Sequence, residues 1–424
     1  MIVSDILSDY PIDSAGENAM TSQSDGNSLD SVRPFSRRAV LKGLAATGAG
    51  LWAGQGPVLG QTGPVRIGAL LPLTGDADAY AIQMRAGIEV AAGEINDAGG
   101  IQGRPIEILV RDSETSPGAL PKLCRELVET QGGAALVGPW IAAGRRLATR
   151  YLAAAGVPLV NASNHEGRYC STALFSVGPT TAHDGHALVR HLDEAGAGKR
   201  YFLLGSYPSW QNAMFRQIRF PMAPRGIKVL GQALTDVGER DFRPVIRWIE
   251  ELGAEVVLFC VMRHHGGEFI RQARASGLLD RVTIGWIGYN ETLDAGLDPD
   301  DAARIVTTAP FVASDTVGAG PEFVARVRNH IGAPSPVSHV AFTHYNAVMA
   351  LRAAWERSGE VSAAAAIAGL KGLTFDSPTG PVTIDAANQH ATMNIVVARG
   401  GGLQVIERLG PIAPDPGCTV AQPA

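Results

Sequence analysis

The chain has 424 residues, 46% of them hydrophobic and 18% charged, with a formal net charge of −5. That length gives room for two domains, and the acidic balance argues against nucleic acid or an acidic membrane surface as partner. Abundant glycine with 6% aromatic residues suits a layered α/β protein with closely packed helices.

Residues 1–35 are polar and acidic and read as a disordered extension. Ser36-Arg37-Arg38-Ala39-Val40-Leu41-Lys42, followed by an uncharged run to Gly56, reads as a twin-arginine export signal over residues 36–56. Val40 stands where phenylalanine is commonest in such signals. The expectation is a periplasmic protein, exported through the twin-arginine translocase. No cysteine follows the apolar run, so no lipid anchor is expected. The run is too short and too rich in glycine for a permanent membrane helix, and no other segment comes close in length, so a soluble protein is expected.

Past Pro64, strand and helix patterns alternate. Val65–Leu71 predicts a strand, Tyr80–Ala98 a helix stopped by Gly99-Gly100, and Ile106–Val110 a second strand. Leu120–Thr130 and Leu147–Ala155 read as helices, Ala134–Val137 and Pro158–Val160 as strands. The pattern restarts after Pro179. Helices over His183–Ala195, Asn212–Met222, Phe242–Leu252 and Gly267–Ser276 alternate with strands over Arg200–Leu204, Lys228–Leu230, Val256–Met262 and Thr283–Ile287. Long helices follow over Pro321–His330 and Ala341–Arg357. Gly380–Asp385 and Asn394–Ala398 form a hairpin-like finish. This order predicts parallel sheets covered on both faces, in two similar lobes.

Cys260 lies in a buried-strand pattern and reads as a free core thiol. A disulfide between Cys124 and Cys170 is permitted in an exported compartment. With Cys418, however, the four cysteines allow three full pairings, and the sequence does not choose. No CxxC or CxxH spacing suggests zinc.

Four motifs carry a family resemblance. They are Ile67-Gly68-Ala69-Leu70-Leu71-Pro72-Leu73-Thr74-Gly75, the stretch from Glu94 to Pro105 with its Gly99-Gly100 turn, Phe375–Asp385 with Asn388-Gln389-His390, and Pro411–Pro416. In this order they resemble the type 1 periplasmic binding proteins, in the branch that binds urea, short-chain amides and branched-chain amino acids. The resemblance covers nearly everything from Val65 to Cys418. It implies an α/β fold of two Rossmann-like lobes, 64–178 with 312–375 and 180–309 with 376–412, and a tail over 413–424. A hinge of three crossings, near Gly178-Pro179, Thr308–Val312 and Asp376–Gly380, would join them around a cleft. The implied function is capture of a small polar molecule (amino acid, amide, urea-like compound or small carboxylate) and its delivery to an ABC permease. No cofactor and no catalysis are implied. A periplasmic sensing subunit similar to the amide sensors is the alternative, and a hydrolytic enzyme the minor one.

Ligands of open α/β sheets sit beyond the carboxyl ends of the strands. The resemblance places Thr74 in the first such loop. Gly138–Arg145 follows a strand and opens a helix whose amides, with Ala142 and Ala143, suit a carboxylate or carbonyl oxygen. Trp140 matches an aromatic wall position, although a cap over the sheet edge explains it equally well. Ser163 matches a ligand-contacting hydroxyl, and His165 replaces a tyrosine. In the second lobe, Tyr207 and Trp210 fall where relatives carry two pocket tyrosines. Arg263, His264, Tyr289 and Glu291 end two further strands. Glu291 is the candidate partner for a ligand ammonium, against the plainer reading of a solvated helix-start glutamate. The lost tyrosines disfavour urea and acetamide. They favour a larger or anionic ligand, with Arg263 and the helix N-terminus sharing a carboxylate.

His183-Asp184-Gly185-His186 with His191 invites a metal reading but defines no third ligand. No GxSxG elbow, P-loop or HExxH occurs.

Overall fold

The computed structural model describes residues 63–420 apart from 76, 207, 262, 263 and 333, and leaves aside the side chains of 208, 209 and 264. The N-terminal extension, the twin-arginine segment and the candidates Tyr207 and Arg263 therefore lie outside the described residues, as does the side chain of His264.

Two sheets organise the chain. The first has five strands: β1 (Val65–Leu71), β2 (Ile106–Asp112), β3 (Ala135–Val137), β4 (Leu159–Asn161) and β5 (Leu174–Ser176), in the order β2-β1-β3-β4-β5. Every pairing is parallel, and β1, β3 and β4 are covered on both faces. Their sequences are therefore apolar, except for Arg66 and Asn161, instead of alternating. Helices α1 (Asp78–Asp97), α2 (Leu120–Arg125) and α3 (Ala142–Ala155) make the crossovers.

The second sheet begins with β6 (Arg200–Gly205), β7 (Lys228–Leu234), β8 (Val256–Cys260), β9 (Thr283–Trp286) and β10 (Ile305–Ala309), all parallel, in the order β7-β6-β8-β9-β10. Around it lie α4 (Ala187–Glu194), α5 (Pro208–Met222), α6 (Arg243–Leu252), α7 (His264–Ala275) and the single turns α8 (Glu291–Asp294) and α9 (Pro299–Ala302). Helices α10 (Gly320–Ile331), α11 (His339–Ser358) and α12 (Ala363–Leu370) follow. Then β11 (Thr374–Ser377), β12 (Gly380–Ile384), β13 (Ala391–Arg399) and β14 (Gln404–Ile412) pair antiparallel, which realises the hairpin-like finish.

Packing shows where the chain passes between the lobes. One apolar cluster joins the first sheet to α1, α10 and α11 and takes in Phe311, Phe375, Val382, Ile384, Met393 and Ile395. The next residue, Val396, belongs with Ala398 to the cluster under the second sheet. Strand β13 therefore runs from one core into the other, and its register with β14 shifts between Ile395 and Val396. Among the described residues no helix is long and apolar enough to cross a membrane.

The cysteines need a correction. Cys170 pairs with Cys418, not with Cys124. Cys124 is a free thiol buried on α2 beside Leu70, Leu127 and Leu152, and burial pushes it up to about 12. Cys260 is free and buried in β8, as expected.

Candidate functional site

The strands of each sheet end in the loops that carry most of the expected site residues. After β1, Thr74 donates its hydroxyl to Asp112 Oδ2 at 2.7 Å and its amide to Asp112 Oδ1 at 3.2 Å. This exposed threonine fastens its loop to the end of β2.

After β3, Gly138 has φ +104°, and a Cβ there would meet the Leu70 carbonyl oxygen at 2.4 Å. Only glycine fits, because the turn brings the chain back across the edge of β1. Helix α3 then opens at Ala142. Its N-cap is Ile141, in an extended conformation, and no side chain caps the helix. The first amides, those of half-buried Ala142 and exposed Ala143 among them, are left for an outside acceptor. Beside them half-buried Trp140 stacks on Tyr80 from α1, with ring centroids 4.3 Å apart and planes 15° from parallel.

After β4, Ser163 is 1% exposed, and its Oγ has no partner among the described residues. His165 takes a different role. Its Nδ1 accepts from the Gly167 amide, and its Nε2 lies 2.6 Å from Ser176 Oγ. Burial above all, then the Arg145 cation, holds this ring well below the ordinary histidine range. It is neutral, with Nε2 as donor. Its backbone amide donates to the Pro179 carbonyl, and it bridges to Thr180.

The same loop contacts the second lobe. Glu166 is buried between Arg145 and Arg146, each 2.9 Å away, and its carbonyl accepts from Gln217 of α5 at 2.7 Å. Asn164 donates to Asp184 at 2.6 Å, and burial raises that carboxyl to about 7 despite the bond. The histidines weighed as metal ligands have separate partners. His183 Nε2 faces the Ile412 carbonyl, His186 Nε2 the Gln217 carbonyl and His191 Nδ1 the Glu407 carboxylate. Among the described residues no three metal-binding side chains gather.

On the second sheet, half-buried Trp210 packs on the core with Nε1 buried and without a partner among the described residues. Its neighbour Gln211 donates to the Cys260 carbonyl at 2.9 Å, and its Oε1 is unpaired. Tyr289 is fully buried, tilts against Trp286 and donates to Asp294 at 2.8 Å, so its hydroxyl is committed within the second lobe. Asn290 caps α8 through the amides of Thr292 and Leu293.

Glu291 is not the solvated helix-start residue of the plainer expectation. Its Oε1 accepts from the Ala313 amide at 2.6 Å, and its Oε2 is buried without a partner among the described residues. Burial raises the carboxyl to about 8. Thr292 Oγ1 is likewise buried and unpaired.

A cavity of about 430 Å³ lies between the two sheets' sides, lined by Tyr80, Ile270, Arg271, Trp286, Thr292 and Leu293 among others. Sequence reasoning missed Tyr80 and Thr292. Tyr80 is the sole aromatic residue of α1, at its first turn, which was a usable signal. Thr292, in a single turn, carried none.

Comparison with known proteins fits this geometry. The family model "Periplasmic binding protein" matches residues 64–402. "Leu/Ile/Val-binding protein homolog 6" of Brucella abortus is 24% identical over 338 residues, covering 78% of this chain and 86% of that one. The "leucine-, isoleucine-, valine-, threonine-, and alanine-binding protein" of Pseudomonas aeruginosa is 22% identical, covering 76% and 86%. Among solved structures, a solute-binding protein of Rhodopseudomonas palustris in complex with 3,4-dihydroxybenzoic acid superposes with TM-score 0.73 at 19% identity, over 83% of this chain and 98% of that one. A branched-chain amino acid transporter substrate-binding protein of Streptococcus pneumoniae, in complex with isoleucine, gives 0.72 at 20% identity, over 82% and 99%. The chain belongs to the periplasmic binding protein family.

Proposed function

We propose that this is an extracytoplasmic solute-binding protein that closes two lobes over a small carboxylate, an amino acid foremost, and hands it to an ABC permease. The carrying observation is the set of unanswered donors at the carboxyl edge of the first sheet. The uncapped amides of α3 and the buried Ser163 hydroxyl stand with the Tyr80–Trp140 stack at that edge. A helix N-terminus carries partial positive charge and favours a carboxylate, and the stack offers an apolar wall to the rest of the ligand. On the second sheet's side, Trp210 Nε1 is a further donor, and Glu291, which burial keeps protonated, becomes an acceptor for an ammonium by giving up its proton. Contacts to both lobes stabilise the closed arrangement over the open one, so binding shifts that population. The names of the relatives support an amino acid, and Arg37-Arg38 supports the periplasmic location and the translocase as export partner.

A thermal-shift screen of the purified protein with leucine, isoleucine, benzoate, urea and acetamide tests the reading. At one hundred times Kd a ligand adds about 2.7 kcal/mol of stability. An amino acid or benzoate is expected to raise Tm, and the two small amides are not. A screen in which no small carboxylate moves Tm rejects the proposal. Loss of uptake on deletion of the gene tests the delivery step.

A further inference from the structure

The 430 Å³ cavity is more than a small amino acid needs, and its walls differ in character from the donors at α3. On its own it falls within the range of about 300–1,000 Å³ typical of small-molecule sites. Tyr80 belongs to both places: one face of its ring stacks on Trp140, and the residue also lines the cavity. The cavity therefore adjoins the proposed seat of the carboxylate. Its apolar surface comes from Trp286, Ile270, Leu293 and Leu297.

Its polar surface has a sign. Among the described residues, Glu268, Asp298 and Asp301 line it against one cation, Arg271. Arg271 is already held by Glu268, and Asp301 by Arg274. Asp298 uses one oxygen to cap α9 and feels the Arg274 cation only at a distance, with no ion pair among the described residues. Thr292 Oγ1, on the wall, is buried and without a partner among the described residues. Among the described residues the wall thus sets three carboxylates against one lining cation, with the unpaired Thr292 hydroxyl beside them. An incoming ammonium would satisfy them, whereas a second carboxylate would be repelled.

We propose that this chamber is a second compartment of the ligand site and receives the amine-bearing end of an elongated ligand whose carboxylate sits at α3. The compartment rests on the solute-binding function proposed above. It selects α-amino acids with a long cationic side chain over apolar ones of the same carbon skeleton.

Calorimetric titration of the full chain with leucine, norleucine and lysine tests this. Lysine and norleucine share a side-chain carbon skeleton and differ in the terminal ammonium. The native protein is expected to bind lysine at least tenfold tighter than norleucine at low ionic strength, with the ratio shrinking as salt screens the acidic wall. Asp298→Asn should lower the ratio at least threefold, and Leu293→Trp, which fills the chamber, should bring it close to one. The salt dependence is read on the native protein, so the test does not hang on the variants folding. A native ratio of one or below, with leucine still bound, overturns the compartment and leaves the solute-binding reading standing. If neither these amino acids nor any small carboxylate binds, that reading falls and takes the compartment with it.

Discussion

Cys170 and Cys418 are joined across 248 residues of chain, with their Cα atoms 5.9 Å apart. Cys170 lies in the loop between β4 and β5 of the first sheet, and Cys418 in the tail that leaves β14 of the second. The tail is held on its way there. His183 Nε2 donates to the Ile412 carbonyl, the Pro416 Cα packs near Gly167, and the Val420 amide donates to the Ala387 carbonyl. The bond thus ties the tail after β14 of one sheet back onto a loop of the other.

A cross-link over so long a loop restricts the unfolded chain strongly, and removing one typically costs about 2–5 kcal/mol. Reduction, or the double variant Cys170→Ser with Cys418→Ser, is therefore expected to lower Tm clearly and to open residues 413–420 to proteolysis. Peptide mapping of the oxidised protein should recover the Cys170–Cys418 pair, with Cys124 and Cys260 alkylated only after denaturation. Recovery of a Cys124–Cys170 peptide would falsify the assignment.

Arg145 is 1% exposed and keeps its charge through Glu166, which also holds Arg146. Burial opposes the Glu166 carboxylate, yet the two arginines prevail and hold it below the usual range. Glu166→Gln leaves a hydrogen-bond acceptor but strands a buried cation. Breaking a buried pair from one side costs about 3–5 kcal/mol, so denaturant unfolding should show a loss of that order. Arg146→Ala, on the exposed arm, should cost under about 1 kcal/mol. Equal losses in the two variants would contradict this division.

Much of this fold is legible in the sequence because parallel strands covered on both faces must be apolar throughout. Val256–Cys260 shows this plainly, and Val65–Leu71 departs from it only at half-buried Arg66. Strands β5 and β10 are less readable: β5 has three residues, and β10 buries Thr307 and Thr308, one of which donates to the Asp184 carbonyl. The site is legible as loops but not as roles. Trp140 and Ser163 lie in the loops after β3 and β4, whereas His165 and Tyr289 are committed to bonds within the fold. Those bonds depend on Ser176, Gly167 and Asp294, and no local pattern links His165 or Tyr289 to these residues. The pairing of Cys170 with Cys418 is non-local in the same sense.

Glu291 gives the stability a definite pH sign. Its carboxyl is raised by burial from 4.5 to about 8, so the folded state holds a proton that the unfolded state has lost. Stability from this group is complete below pH 4.5 and declines as pH rises towards 8. The buried histidines act oppositely. Burial lowers His183, His339 and His344 from 6.5 to about 4, so their contribution falls as pH drops from 6.5 towards 4. Above about pH 7 these histidines are neutral in both states, and the decline belongs to the acids. Glu291→Gln keeps an acceptor for the Ala313 amide and removes the titration. It is expected to flatten the pH 7–9 stability profile, with a gain at pH 9 on the order of 1–3 kcal/mol. Urea unfolding at several pH values measures this; parallel curves for native and variant proteins would remove Glu291 as the source.

The Tyr80–Trp140 stack tests the seat itself. Stacked rings 4.3 Å apart present one continuous apolar face, and an aromatic contact of this kind is worth about 0.5–1.5 kcal/mol beyond its buried area. Trp140→Ala removes the outer ring and exposes Tyr80, whereas Trp140→Phe keeps a ring in place. For a ligand identified in the screen, the alanine variant should lose affinity about 10- to 100-fold, with the loss chiefly in the off-rate, and phenylalanine should restore most of it. Trp140 is half-buried at the edge of the first core, so a stability cost is expected as well. The two effects separate by comparing melting without ligand to the ligand-induced shift. If alanine lowers the melting temperature but leaves the ligand shift intact, Trp140 caps the sheet edge and the seat lies elsewhere along it.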